Sequence, residues 1–270
     1  MYGAIIGDII GSPYEFCEFK NRNFKFFTKE SHYTDDTILT VAIAKALLEL
    51  PGKASVKRIK REVTKSIRKM CKKYPRNDYG TAFAYWLSAD NPEPYNSYGN
   101  GSAMRVSAAG WLYDTIDQTR KVARATAEIT HNHPEGIKGA EATASAIFLA
   151  RSGFSKREIE DYIMEEFGYD ITRDCDDIRP KYHFNETCQG TVPEAIICFL
   201  EGNSFEEVIS LAVSLGGDAD TLAAIAGSIA EAFYGVPDSF VKEAQSRLPE
   251  EFLDIIQKFE ERVNVLWINS

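Results

Sequence analysis

Apolar residues recur at i, i+3 and i+4 through most of the chain, the spacing that gathers them on one face of an α-helix. Segment 36–50 (DTILTVAIAKALLEL) reads this way. So does 53–74, where Val56, Ile59, Val63, Ile67, Met70, Cys71 and Tyr74 share a stripe. Further helices are predicted over 103–113, 120–130, 136–151, 156–167, 190–201, 205–214, 219–234 and 239–264. The best strand candidate is short, Asn23–Thr28. Pro51-Gly52, Asn91-Pro92-Glu93-Pro94, Gly153, Gly202 and Gly235-Val236-Pro237 punctuate the helices. Two long stretches escape the pattern: Ser12–Tyr33, aromatic and charged, and Gly168–Thr187, polar, with Asp174, Asp176 and Asp177. Long loops of this kind are often functional. The pattern predicts an all-α fold, one domain over 1–270 with ten or more helices.

Composition narrows the class. At 270 residues, with 44% hydrophobic and 26% charged positions, the chain is long enough for a substantial core without disulfide or metal support. Five widely spaced cysteines (Cys17, Cys71, Cys175, Cys188, Cys198) with no CxxC pair read as reduced thiols of a cytoplasmic protein. The apolar start, MYGAIIGDIIG, lacks a basic leader and is broken by Asp8. It therefore does not read as a signal peptide, and no run elsewhere is long enough to predict a membrane span. A net charge of −9 argues against bulk nucleic-acid binding. Segment 53–76 departs from that average, with eleven Lys/Arg and one acid, Glu62. It reads either as a solvated helix face or as a docking patch for an anionic partner.

Two acidic motifs carry the chemistry, each just ahead of an apolar helix: Tyr33-Thr34-Asp35-Asp36-Thr37 and Gly216-Gly217-Asp218-Ala219-Asp220-Thr221. Thr and Asp are good helix caps, and acids in a first turn complement the helix dipole. One cap, however, needs one acceptor, and each motif offers two carboxylates with one or two hydroxyls. Gathered together, these acids repel unless neutralised. Their all-oxygen donor set suits Mg²⁺ or Mn²⁺, and with no His or Cys close by zinc is disfavoured.

Three further features accompany them. Gly3, Gly7 and Gly11, four apart, give a helix face without side chains, for which the small-residue segment Ala223–Ala232 is the expected neighbour. Asp8 reads as a buried helix-organising acid, and Glu15, in the following loop, as free to swing toward a metal site. Tyr98-Gly99-Asn100-Gly101-Ser102-Ala103-Met104-Arg105 reads as a turn opening a helix, with N–H groups and a hydroxyl suited to phosphate, although Asn-Gly also marks ordinary turns. Thr130-His131-Asn132-His133-Pro134 fits a capped helix end before the proline.

Taken in order, GAIIGDIIGSPYE, TDDT, GNGSAMR, TH and GGDADT followed by FYG resemble the ADP-ribosylglycohydrolase family, from residue 3 to about 235. The resemblance implies a compact orthogonal all-α bundle with a pair of Mg²⁺ or Mn²⁺ ions in a central cleft. Thr34, Asp35, Asp36, Asp218, Asp220 and Thr221 would be metal ligands. Glu15 would coordinate metal or contact the scissile ribose. Asn100, Gly101, Ser102 and Met104 would hold the diphosphate and its ribose, with His131 near the ligand and Tyr14 and Phe16 flanking sugar or adenine. Glu231 stands where the family pattern has a small residue, and is expected to face solvent. The implied reaction is hydrolysis at C1″ of ADP-ribose, with Glu15, Asp35 or Asp36 as general acid or base. Acceptors sharing that half include ADP-ribosylated protein side chains (arginine or serine), O-acetyl-ADP-ribose and ADP-ribosylated nucleic acid. The chain is expected to act as a monomer. A non-catalytic ADP-ribose binder and another metal-dependent nucleotide hydrolase are the alternatives.

Overall fold

The computed structural model describes residues 1–76 and 79–268. Fifteen α-helices and no extended strand are found among the described residues, as the periodicity predicts. In chain order these are α1 (Tyr2–Gly11), α2 (Asp35–Leu48), α3 (Val56–Lys73), α4 (Thr81–Ser88), α5 (Gly101–Met104), α6 (Ser107–Trp111), α7 (Ile116–Ala127) and α8 (Pro134–Arg151). They continue with α9 (Lys156–Phe167), α10 (Cys175–Ile178), α11 (Cys188–Glu201), α12 (Phe205–Leu215), α13 (Ala219–Tyr234), α14 (Asp238–Gln245) and α15 (Glu250–Ile268). Many begin where the sequence supplies a hydroxyl cap. Thr34, Ser55, Thr115, Ser155, Thr187 and Ser204 each accept a hydrogen bond from an N–H two or three residues on.

The structure corrects several element boundaries. Asn23–Thr28 is irregular, and its Phe24 and Phe26 join an aromatic cluster with Tyr14, Phe19 and Phe240. The predicted helix 239–264 is two helices, because Pro249 has no N–H to continue the ladder and opens α15 instead. The predicted helix 103–113 is likewise divided at Arg105, whose buried guanidinium donates to Thr126 O (3.4 Å) and Thr130 Oγ1 (2.7 Å). Two short helices, α4 and α10, were not predicted; Asp174 caps α10 by accepting from Asp177 N at 2.9 Å. No disulfide links the cysteines, and no helix of the described residues is long and apolar enough to cross a membrane.

The centre of the molecule is α13, packed against α1, α8, α11 and α12. All of α1 is buried, as is α13 from Ala219 to Ala230. Two buried helical segments can lie this close only if one face carries no side chains. A Cβ built on Gly7 would stand 2.1 Å from Ala223 O, and one on Gly3 2.1 Å from Gly227 O. The glycine repeat thus sets the α1–α13 separation. Glu231 does not face solvent. Its carboxylate accepts from the Met1 amino group (2.7 Å), Tyr2 N (3.0 Å) and Gly3 N (2.9 Å). Those N–H groups at the start of α1 have no partner within the helix, so a carboxylate from α13 caps it.

Gly7→Ala is expected to lower stability by about 3 kcal/mol or prevent folding, since backbone rather than a flexible side chain blocks the new methyl. Gly52→Ala, with nothing within 4 Å, should stay within about 0.5 kcal/mol. Urea unfolding of both variants checks the contrast.

Candidate active site

The site is assembled where α1, α2 and α13 meet, and Asp8 of α1 fixes the geometry. Its carboxylate accepts from Thr34 N (2.9 Å), Thr34 Oγ1 (2.7 Å), Thr37 N (3.1 Å) and Thr37 Oγ1. Burial pushes the Asp8 carboxyl up, and these four donors oppose the rise. Asp8 is thus the helix-organising acid its sequence position suggests. The Thr34 hydroxyl donates to Asp8 and accepts from Asp36 N at 3.2 Å, so it caps α2.

With the threonines turned toward Asp8, the first turn of α2 carries the two acids. Asp35 is half-buried, whereas Asp36 is 3% exposed and its Oδ2 has no hydrogen-bond partner. Across from it, Asp218 precedes α13 without making a side-chain cap. Its Oδ2 accepts instead from Asn100 Nδ2 at 2.6 Å. Asp220, in the first turn of α13, is 3% exposed and its Oδ1 is also without a partner. Carboxylate oxygens of Glu15, Asp218 and Asp220 lie within 4.8 Å of one another.

The electrostatics join the two acidic motifs. Burial, then the charges of Asp8, Asp35 and Asp218, push the Asp36 carboxyl well up. Burial, then Asp218, Asp36, Glu15 and Asp8, do the same to Asp220. Burial raises Asp218 as well, and the Thr221 hydroxyl opposes the rise at both Asp36 and Asp218. Buried carboxylate oxygens are normally paired. Two left unpaired, in a set made only of carboxylates and threonine hydroxyls, fit a hard divalent cation. The acidic cluster can bind metal, and its donors match the expected class of ion.

Glycines position this cluster. Gly216 (φ 75°) and Gly217 (φ 73°) adopt a left-handed backbone, and a Cβ on Gly217 would come 2.9 Å from the Phe184 backbone. Gly217 also exchanges hydrogen bonds with the Glu15 loop: Phe16 N donates to Gly217 O (3.0 Å) and Gly217 N to Cys17 O (2.9 Å). Lys20 Nζ donates to Leu215 O and Tyr182 O, tying in the second long loop. The Phe16 and Phe184 rings stack 5.0 Å apart, both exposed, whereas Tyr14 packs inward on Phe19 and Phe24.

The 98–105 loop lies on the other side. Asn100 N donates to Glu186 O (2.8 Å), and Asn100 Nδ2 reaches Thr191 Oγ1 (3.1 Å) as well as Asp218. The Ser102 hydroxyl is buried and donates to Gly136 O at 2.6 Å, so it braces the loop from inside. Met104 Sδ is 4.0 Å from Thr221 Oγ1. His131 lies beneath Gly101, its Nε2 3.2 Å from where a Cβ there would be. Its Nδ1 meets Thr130 Oγ1 at 2.7 Å, and burial, followed by Arg105, pushes it well below the usual histidine range. Sequence reasoning missed the Asn100–Asp218 bond and the Phe16–Phe184 pair. Both join segments far apart in the chain and leave no local signal beyond an aromatic-rich loop.

The family model for ADP-ribosylglycohydrolase matches residues 1–266. ADP-ribosylhydrolase ARH3 of Mus musculus is 28% identical, spanning 90% of this chain and 85% of that protein. ADP-ribosylhydrolase ARH3 of Gallus gallus is 30% identical, spanning 79% and 74%. ADP-ribosylarginine hydrolase Tri1 of Pseudomonas putida (strain GB-1) is 25% identical, spanning 87% and 70%. A solved structure described as an ADP-ribosylglycohydrolase-related protein complex shares the fold, with a TM-score of 0.73 and 23% identity over 97% of this chain and 95% of the other. The chain belongs to the ADP-ribosylglycohydrolase family and is an enzyme of that hydrolase class.

Asp36 and Asp220 hold protons more tightly folded than unfolded. Their raised pKa values therefore favour the fold at low pH, and that contribution is lost as pH rises through them. In chelator, Tm should fall as pH is raised above the ordinary carboxylate range. Mg²⁺ should restore more stability at the upper end than at the lower. A pH-independent gain would contradict the assignment.

Proposed function

We propose that this chain hydrolyses the glycosidic bond at C1″ of ADP-ribose in an ADP-ribosylated protein side chain or small molecule, releasing ADP-ribose. The observation that carries the reading is the pair of unpartnered, buried carboxylate oxygens, Asp36 Oδ2 and Asp220 Oδ1, presented from two helix N-termini, with Glu15 beside Asp218 and Asp220. Thr34, Asp35, Asp36, Asp218, Asp220 and Thr221 would hold a pair of Mg²⁺ or Mn²⁺ ions. Bound there, such ions neutralise the carboxylates and supply Lewis acidity.

The remaining chemistry belongs to the chain. Water adds its hydroxyl to C1″ and its proton ends on the acceptor atom, through a transition state with positive charge on the ribose. Glu15 is the acid placed to move that proton. Like Asp35 it is half-buried, whereas Asp36 and Asp220 are enclosed, and unlike Asp35 its carboxylate lies within 4.8 Å of those of Asp218 and Asp220. Its loop is held by the Gly217 hydrogen bonds, which keep the carboxylate close to Asp218 and Asp220. Asn100 orients Asp218, and the buried His131 supports the loop that would bear the diphosphate.

The test is release of ADP-ribose from ADP-ribosylated arginine, ADP-ribosylated serine and O-acetyl-ADP-ribose, with and without Mg²⁺ or Mn²⁺. Asp218→Ala combined with Asp220→Ala should lower turnover at least about 10³-fold, the loss of several kcal/mol. Glu15→Gln should lower kcat by about 10²- to 10⁴-fold with a smaller change in KM. Undiminished turnover in the double variant would overturn the reading.

A further inference from the structure

Helix α3 has an unusual surface: every fully exposed residue between Val56 and Lys73 is Lys or Arg. Arg61 pairs with Glu62 and Lys73 with Glu251. The side chains of Lys57, Arg58, Lys65, Lys69 and Lys72 make no ion pair with any described residue. Lys57, Arg61, Lys65, Lys69 and Lys73 follow one another at i+4, about 6 Å apart, and the run from Lys57 to Lys72 extends about 22 Å. Outside α3 the chain holds 22 basic and 39 acidic residues, so this ridge is the exception on an acidic molecule.

Its position connects it to the site. The helix packs along α2, with Ser66 Oγ donating to Ala42 O at 2.7 Å. Its C-terminal end reaches the acidic end of α2. Arg76 Nη1 donates to Tyr33 O at 3.0 Å, and Phe252 lies between the rings of Tyr74 (4.8 Å) and Tyr33 (5.6 Å). Tyr33 immediately precedes Thr34, Asp35 and Asp36. The C-terminal end of α3 is therefore tied, through Tyr74 and Arg76, to the residue that precedes the first acidic motif.

We infer that α3 is a docking ridge for the phosphodiester backbone of a single-stranded nucleic acid whose ADP-ribosylated end enters the site. The acceptor part of this statement rests on the function proposed above; the binding part does not. Protein partners settle on aromatic or apolar anchors and avoid lysine at the interface core, and the exposed face of α3 offers only cations. A regular line of cations without apolar pockets matches a polymer that repeats one negative charge per unit and is held without sequence readout. The overall charge of −9 does not prevent this. At physiological salt, screening over about 8 Å makes a bound strand respond to the ridge rather than to the distant acidic surface.

The test uses Lys57→Gln, Lys65→Gln and Lys69→Gln together, three exposed changes that should leave the fold intact, as a thermal melt will check. Binding of a bare fluorescent single-stranded oligonucleotide is followed by anisotropy across a salt series, with a polyglutamate peptide of equal charge as control. Five phosphate contacts give a slope of log K against log salt of about −3.5, and the variant should bring it to about −1.4 with at least a tenfold loss of affinity at low salt. Turnover of an ADP-ribosylated oligonucleotide should show a raised KM and an unchanged kcat in the variant, with O-acetyl-ADP-ribose hydrolysed as before. Oligonucleotide binding that is absent, unaltered in the variant, or matched by polyglutamate would overturn the inference. Absence of turnover on every substrate, with the anisotropy result intact, would instead overturn the catalytic reading and leave the ridge as a nucleic-acid site.

Discussion

Three nearly buried carboxylates, those of Asp36, Asp218 and Asp220, face one another at the junction of two helix N-termini. Charge repulsion in so dry a place opposes folding unless something answers it. Part of the answer is built in: the helix dipoles of α2 and α13 favour negative charge at their first turns, and Asn100 and Thr221 donate to the cluster. The unpartnered oxygens of Asp36 and Asp220 mark what the protein alone leaves unanswered. A divalent cation would complete that balance.

The remaining architecture can be read as a means of holding the acids together. Asp8 reaches from α1 to the two threonines of α2, and the glycine face of α1 brings that helix against α13. One short, fully buried helix thereby sets the distance between the two acidic motifs. Gly217 performs the equivalent task for the loops, since its backbone joins the Glu15 segment on one side and meets Phe184 on the other. A side chain at Gly7 or Gly217 would disturb the site without touching any of its acids.

Much of this was legible in the sequence because it depends on local chemistry. Helical periodicity, hydroxyl caps, the glycine repeat and the doubled acids after each cap are patterns within a few residues. What was not legible involves partners far apart in the chain. Glu231 looks like a solvent-facing residue until the N–H groups of α1 are seen to need an acceptor. The Ser102 hydroxyl looks like a ligand donor until Gly136 O takes it. Helix 239–264 looks continuous unless Pro249 is weighted over the apolar repeat. For Glu231 and Ser102 the long-range partner decided which of two local readings held; for Pro249 the missing N–H outweighed the apolar repeat.

The most direct measurement of the central claim is anomalous diffraction from crystals grown with Mn²⁺. The account predicts strong anomalous peaks at coordination distance, about 2.1 Å, from Asp36 Oδ2 and Asp220 Oδ1. Crystals at saturating Mn²⁺ with no peak there, and with those two oxygens hydrogen-bonded to one another or to water, would contradict it.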